Sequence, residues 1–391
     1  MTDLMTAPAI SPYALSEDQE ALVAAVREFS RLRLAPNAIE WDQTKHFPVD
    51  VLREAGELGL GGIYAQEDVG GAGLTRSDAV LIFEELAKGD TTIAAYISIH
   101  NMVVWMIDSF GDDEQRRRWI PKLASMEQLA SYCLTEPGVG SDAAALVTSA
   151  KRGGDHYVLN GVKQFISGAG ASSVYVVMAR TGADGPKGIS AFIVPSDSPG
   201  LSFGANERKM GWNAQPTRQV VFDDVRVPAA NLLGDEGDGF TFAMKGLNGG
   251  RINMGACSLG GAQWALDQAV RYVKQREAFG SPLSEQQSLV FELADMETDL
   301  QAARLLLRRA ASALDNSEPE TASLCAMAKR FATDVAFKAA NSALQLHGGY
   351  GYLADYGIEK VVRDLRVHQI LEGTNEIMRL IVGRALLEDA Q

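Results

Sequence analysis

The chain has 391 residues, 46% hydrophobic and 22% charged, which is ordinary for a folded globular protein and long enough for more than one packed layer. Its formal net charge of −14 argues against a nucleic-acid partner, which needs a basic face, although a local pocket can still bind an anionic cofactor. Cys133, Cys257 and Cys325 form no C-x-x-C pair and the five histidines form no H-E-x-x-H, so neither a disulfide framework nor a metal is expected.

Residues 1–12 carry neither a basic patch nor an apolar core, so no secretory signal or Arg-rich transit segment is expected there. Ser16 and Gln19 have capping-box spacing, followed by Leu22, Val26 and Phe29 at helical intervals up to Pro36. A second helix follows Pro48 and stops at Gly59, Gly61 and Gly62; further helical stretches cover 76–88, 92–110 and 112–124. The apolar window 93–110 is interrupted by Ser98, His100, Asn101 and Asp108, which reads as a buried helix and not a membrane span.

From about 131 the period changes. Short β-branched or apolar runs at 156–159, 163–166, 174–179, 189–194 and 219–222 predict a compact antiparallel β domain, with Asn160-Gly161 as a hairpin turn. Long helices return at 252–276, 285–315 and 320–346 and predict a bundle. The fold class is α+β: an N-terminal helical domain (1–130), a middle β domain (131–240) and a C-terminal four-helix-type bundle (241–391).

Two stretches, Gly138-x-Gly140-x-x-Ala143 and Gly349-x-Gly351-x-x-Ala354, match the loose dinucleotide fingerprint, yet neither opens a helix within a βαβ unit. Segment 132–141 runs from a strand into a loop rich in Gly and Ser. Its free N–H groups can hydrogen-bond a phosphate or flavin edge, although spacing alone favours a tight turn capped by Ser and Asp. Arg276 alone reads as a solvated helix-end arginine, and Glu372 alone as a cap or helix-dipole partner.

Four motifs in order change that balance: Thr135-Glu-Pro-Gly-x-Gly-Ser-Asp, Arg276-x-x-Phe279-Gly280, Gln345-x-x-Gly348-Gly349-x-Gly351 and Glu372-Gly373-Thr374. Together they resemble the acyl-CoA dehydrogenase family over nearly the whole chain. The resemblance implies FAD as cofactor and Glu372 as the base that takes the α-proton while the β-hydride leaves to the flavin. It implies flavin contacts from Tyr132, Cys133, Leu134, Thr135, Gly140 and Ser141, with Phe165, Ile166 and Ser167 flanking the ring; many members have Trp where Phe165 stands. It assigns the adenine dinucleotide to Arg276, Phe279, Gln286 and Gln287, with Gln345, Leu346, His347, Gly348 and Gly349, across a subunit boundary. Thr374, Asn375 and Glu376 complete the cofactor set. Ser141, Asn248, Arg251, Gly373 and Arg384 are implied on the substrate side. Some members carry the base on an earlier helix; Gly250 stands there and cannot accept a proton.

Within the family, residues 247–253, 263–276, 345–352 and 366–376 resemble the branch that oxidises isobutyryl-CoA to methacryloyl-CoA in valine breakdown. Leu371 fits a branched substrate, since straight-chain members often have Tyr before the base, and Ala94 stands where a glutaryl-CoA reader has Arg. A straight-chain or 2-methylbutyryl-CoA substrate, a flavin oxidase and a non-catalytic DNA-binding relative are the alternatives. The resemblance further implies an electron-transferring flavoprotein as acceptor and a homotetramer built as a dimer of dimers, while the unpaired cysteines and the N-terminal residues predict a cytoplasmic location, in a bacterium or as a mature matrix enzyme.

Overall fold

The computed structural model describes residues 14–388, so the reading of residues 1–12 lies outside the described residues. The first helices are α1 (Glu17–Phe29), α2 (Ala38–Thr44), α3 (Val49–Glu57), α4 (Arg76–Gly89), α5 (Thr91–Phe110) and α6 (Asp113–Ala124). Side chains close the starts of α1, α4 and α6 in capping boxes, Ser16 with Gln19, Thr75 with Asp78 and Asp112 with Gln115. Helix α5 is long and apolar enough to cross a membrane, but 72% of its apolar window is buried inside the fold. It is a core helix.

One eight-stranded sheet follows: β1 (Ala130–Cys133), β2 (Ser149–Arg152), β3 (His156–Ser167), β4 (Val174–Arg180), β5 (Ile189–Pro195), β6 (Leu201–Phe203), β7 (Thr217–Pro228) and β8 (Leu232–Leu233). Both faces are buried at its centre. Val174, Val176 and Met178 of β4 pack toward the helices, while Tyr175, Val177 and Ala179 pack into the second core on the other face. That two-sided burial explains why β4 and β5 read as continuous apolar runs.

Two details depart from the sequence reading. The sheet is mixed, because β1 pairs parallel with β4. And Asn160-Gly161 makes no hairpin: both residues lie inside β3, at a bulge against β7. Gly161 is required by proximity instead, since a Cβ there would sit 2.5 Å from Thr148 Oγ1. The turn between β2 and β3 is made by residues 153–155, with Gly154 at φ 78°.

The bundle comprises α7 (Gly239–Gln275), α8 (Gln287–Asp315), α9 (Thr321–Leu346), α10 (Ile358–His368) and α11 (Asn375–Glu388), with a small ribbon, β9 (Glu277–Ala278) and β10 (Ser281–Pro282), after α7. Helix α7 starts well before residue 252, the expected position. Glycines 246, 249 and 250, which look like helix breakers, lie inside it because neighbouring side chains occupy the space beside them. One continuous apolar core joins α3–α5 to α7–α10.

Gly260 lets α4 approach α7, since a Cβ there would lie 2.1 Å from the Glu84 carbonyl oxygen. Gly→Ala inside a helix ordinarily gains about 1 kcal/mol. Here the new methyl meets backbone, and overpacking costs about 1–3 kcal/mol. Gly260→Ala is therefore expected to lower the melting temperature; calorimetry showing an increase would contradict this packing.

Candidate active site

Glu372 lies in the turn between α10 and α11, at φ 56°, and Gly373 follows at φ 89°. A non-glycine residue held left-handed costs about 1–3 kcal/mol and persists only where its surroundings impose it. Two buried cations do so. Arg251 Nε donates to the Glu372 carbonyl oxygen at 3.2 Å, and Lys329 Nζ donates to that of Gly373 at 2.8 Å. Lys329 also donates to Asn375 Oδ1 at 2.9 Å, and Asn375 Nδ2 in turn donates to Asp334 and Thr333.

The carboxyl group points at α7. A Cβ on Gly250 would stand 2.6 Å from Glu372 Oε2, so any side chain there would displace the carboxylate. Although the residue as a whole is half-buried, Oε2 is enclosed and has no hydrogen-bond partner. Burial pushes the Glu372 pKa up to about 7, and the positive charges of Arg251 and Lys329 only partly oppose that shift. Burial likewise brings Lys329 down to about 8. Tyr132 lies within electrostatic reach of Glu372, and its enclosed Oη is also without a partner. Two orphaned polar atoms in one region are what a site completed by a ligand leaves behind.

Helix α10, which leads into this turn, is tied to all three regions of the fold. Asp364 accepts from the Trp212 N–H (2.6 Å), from Thr92 Oγ1 (3.0 Å) and from Lys360 Nζ (2.7 Å). Trp212 Nε1 donates to His368 Nε2, so the ring proton sits on Nδ1 and meets Ser258 Oγ at 2.7 Å. Burial pushes the His368 pKa down to about 4, which keeps the ring neutral and this tautomer in place.

A second group of residues gathers where β1 leaves the sheet. Lys163 is fully buried and donates to Glu136 at 2.8 Å and to the Leu134 carbonyl oxygen at 2.9 Å. The Gln164 N–H donates to the Thr135 carbonyl oxygen at 2.8 Å. Burial works against the Glu136 charge, but Lys163 and the Val147 and Thr148 N–H groups outweigh it and hold the carboxyl below its usual range. This clamp sets segment 134–136 beside Phe165, Ile166 and Ser167. Cys133 and Ile166 turn their side chains into the sheet core. Phe165, at φ 60° in a second bulge of β3, turns outward and is 64% exposed. Gly140 and Ser141 are exposed on the following loop.

A third group lines a hollow of about 510 Å³: Arg276 with Gln345, Leu346, His347, Gly348 and Gly349. Phe279, at the tip of the β9–β10 ribbon, is 99% exposed, and Gln286 and Gln287 begin α8 without lining this hollow. Asn248 joins the base region through Arg251 Nη1 at 2.8 Å. Thr374 caps α11, whereas Glu376 and Arg384 are exposed on it, Arg384 about two and a half turns along the helix from its start at Asn375. Sequence reasoning overlooked Lys329, although it carried a signal: a lysine on the stripe Cys325, Lys329, Ala332, Ala336 is a charge on a buried helix face.

Comparison with known proteins matches three family models: acyl-CoA dehydrogenase N-terminal domain over residues 16–127, middle domain over 131–225 and C-terminal domain over 237–387. The chain is 56% identical over 375 residues to the mitochondrial isobutyryl-CoA dehydrogenase of Bos taurus, covering 96% of this chain and 90% of that one. It is 55% identical over 376 residues to its counterpart in Dictyostelium discoideum, with the same two coverages. A solved structure described as the electron transferring flavoprotein of Acidaminococcus fermentans, in work on flavin-based electron bifurcation, superposes with a TM-score of 0.94 at 41% identity. That match covers 96% of this chain and 100% of the other.

A carbon-13 titration of the Glu372 carboxyl is expected to show a midpoint near 7, well above the ordinary glutamate value of about 4.3. Lys329→Met removes a cation that favours the carboxylate, so the midpoint should move further up. A midpoint at the ordinary value in the unsubstituted protein, or a fall in the variant, would contradict the electrostatics described.

Proposed function

The chain belongs to the acyl-CoA dehydrogenase family, and from that premise we propose that it oxidises isobutyryl-CoA to methacryloyl-CoA, with Glu372 as the base. The observation that carries this reading is the enclosed, unpartnered Oε2 of Glu372, raised by burial to about 7 and faced by a glycine. A base near the working pH is well matched to a weakly acidic C–H. The identity to two isobutyryl-CoA dehydrogenases supports the choice of acyl group.

The residues present fit FAD. The Lys163–Glu136 clamp holds a loop with open glycines beside the outward-turned Phe165. Arg276 offers a guanidinium whose fork matches pyrophosphate oxygens, in an open hollow lined also by the 345–349 segment. Bound FAD supplies the two-electron sink for the departing β-hydride.

The chain's own part is to bind, orient and deprotonate. Glu372 takes the proton from Cα, and the electron pair of that C–H bond becomes the new C=C as the β-hydrogen leaves with its two electrons. Negative charge develops on the thioester oxygen during this step. The Glu372 N–H donates to no protein group among the described residues, so it is free to meet that oxygen. Arg251, beside the base, favours the carboxylate form and contributes positive potential on the substrate side.

Electrons pass to an electron-transferring flavoprotein, in a bacterial cytoplasm or a mitochondrial matrix. The exposed Phe279, Phe291 and Tyr352 fit a partner subunit in a tetramer whose cofactor sites are shared between chains.

Purified protein is expected to be yellow and to bleach on anaerobic addition of isobutyryl-CoA. Glu372→Gln keeps the size of the side chain but cannot accept a proton, so bleaching should slow by about 10²–10⁴-fold or more while acyl-CoA still binds. Stopped-flow absorbance measures both. A variant that keeps more than about a tenth of the rate would point to another base.

A further inference from the structure

Arg76 stands out because it is a buried cation with no acidic partner. It opens α4, where its backbone N–H donates to Asp315 Oδ1 at 2.7 Å, yet among the described residues its guanidinium forms no ion pair. The group is held by aromatic faces instead. Its Cζ lies 3.6 Å from the Tyr64 ring centroid and 5.0 Å from that of Trp105. A largely buried, unpaired charge is costly, and a fold keeps one only where the surroundings hold it or something uses it.

Its position relative to Glu372 suggests the use. Gly249 and Gly250 are consecutive on α7. A Cβ on the first would lie 2.6 Å from Arg76 Nη1, and a Cβ on the second would lie 2.6 Å from Glu372 Oε2. The guanidinium and the carboxylate therefore face neighbouring glycines, at most about 12 Å apart given the spacing of consecutive Cα atoms. One turn along, Asn253 links the same helix face to the wall. It accepts from Tyr64 Oη at 2.9 Å and donates to Ser98 Oγ at 3.1 Å. Ser98, Met102 and Trp105 recur at the spacing that places them on one face of α5.

Building on the proposed function, we propose that Arg76, clasped by Tyr64 and Trp105, is the end wall of the acyl pocket and limits acyl length. A short acyl group with its Cα at Glu372 stops before the guanidinium. A longer straight chain would press methylenes against a cation, displacing water from it and offering no hydrogen bond in return. The wall thus acts by penalising long tails, and the branch beside Cα is unaffected because it lies at the other end.

The test compares kcat/KM for hexanoyl-CoA and isobutyryl-CoA in unsubstituted protein and in Arg76→Leu, each as FAD-loaded protein with the same acceptor. The expected result is a rise of at least about tenfold in the hexanoyl-to-isobutyryl ratio, the scale on which an apolar pocket discriminates methylenes. General damage to the fold would lower both values and leave the ratio alone. Trp105→Leu withdraws the second aromatic face and should move the ratio in the same direction, so it decides the matter if Arg76→Leu does not fold. An unchanged ratio in a folded, yellow variant that still oxidises isobutyryl-CoA overturns the wall and leaves the proposed function standing. Unsubstituted protein that bleaches with no acyl-CoA overturns the proposed function itself.

Discussion

A carboxylate taken out of water is either neutralised or held by donors, and Glu372 Oε2 has no donor. Keeping that group dry, empty-handed and still ionisable near neutrality constrains much of the fold around it. Gly250 supplies the space, and Arg251 and Lys329 supply enough positive charge to offset part of the burial cost. They reach the turn through its backbone carbonyl oxygens and leave the carboxylate uncapped, which preserves its capacity as a base.

The same two bonds explain how a strained turn is maintained. Left-handed Glu372 would relax if its carbonyl groups were free, but successive carbonyl oxygens are bound by donors from two different helices. Helix α10 fixes the approach to the turn, because Asp364 and His368 join it to α5, α7 and the Trp212 loop. The β region is thereby docked to the bundle by buried polar contacts as well as by apolar surface. Such networks contribute mainly by specifying one arrangement, since each partner lost leaves a buried polar atom unsatisfied.

The glycines of α7 show how a sequence feature can mislead locally and still be informative. In an isolated helix, Gly246, Gly249 and Gly250 weaken the structure by about 1 kcal/mol each. Here their missing side chains are occupied by Met106, Arg76 and Glu372. A run that resembles a helix break is instead where side chains from three other parts of the chain pack against α7. Asn160-Gly161 misleads in the opposite sense: its composition suits a turn, yet Gly161 is selected by contact with Thr148 across the sheet.

Local pattern determined a good deal. The Ser16–Gln19 capping box located the start of α1, and helical period with its Gly and Pro breaks located α3–α6, α8 and α9 to within a few residues, because those signals lie within a turn or two of chain. Motif order along the chain pointed to the family and to Glu372 as its base. What only the tertiary structure decided are the relations between residues distant in sequence. These include the parallel pairing of β1 with β4, Lys329 under the base turn, the neutral His368 tautomer, and Arg76 between Tyr64 and Trp105. Each depends on burial and on a partner tens to hundreds of residues away, and desolvation, which sets the Glu372 pKa, exists only once the core has closed around it.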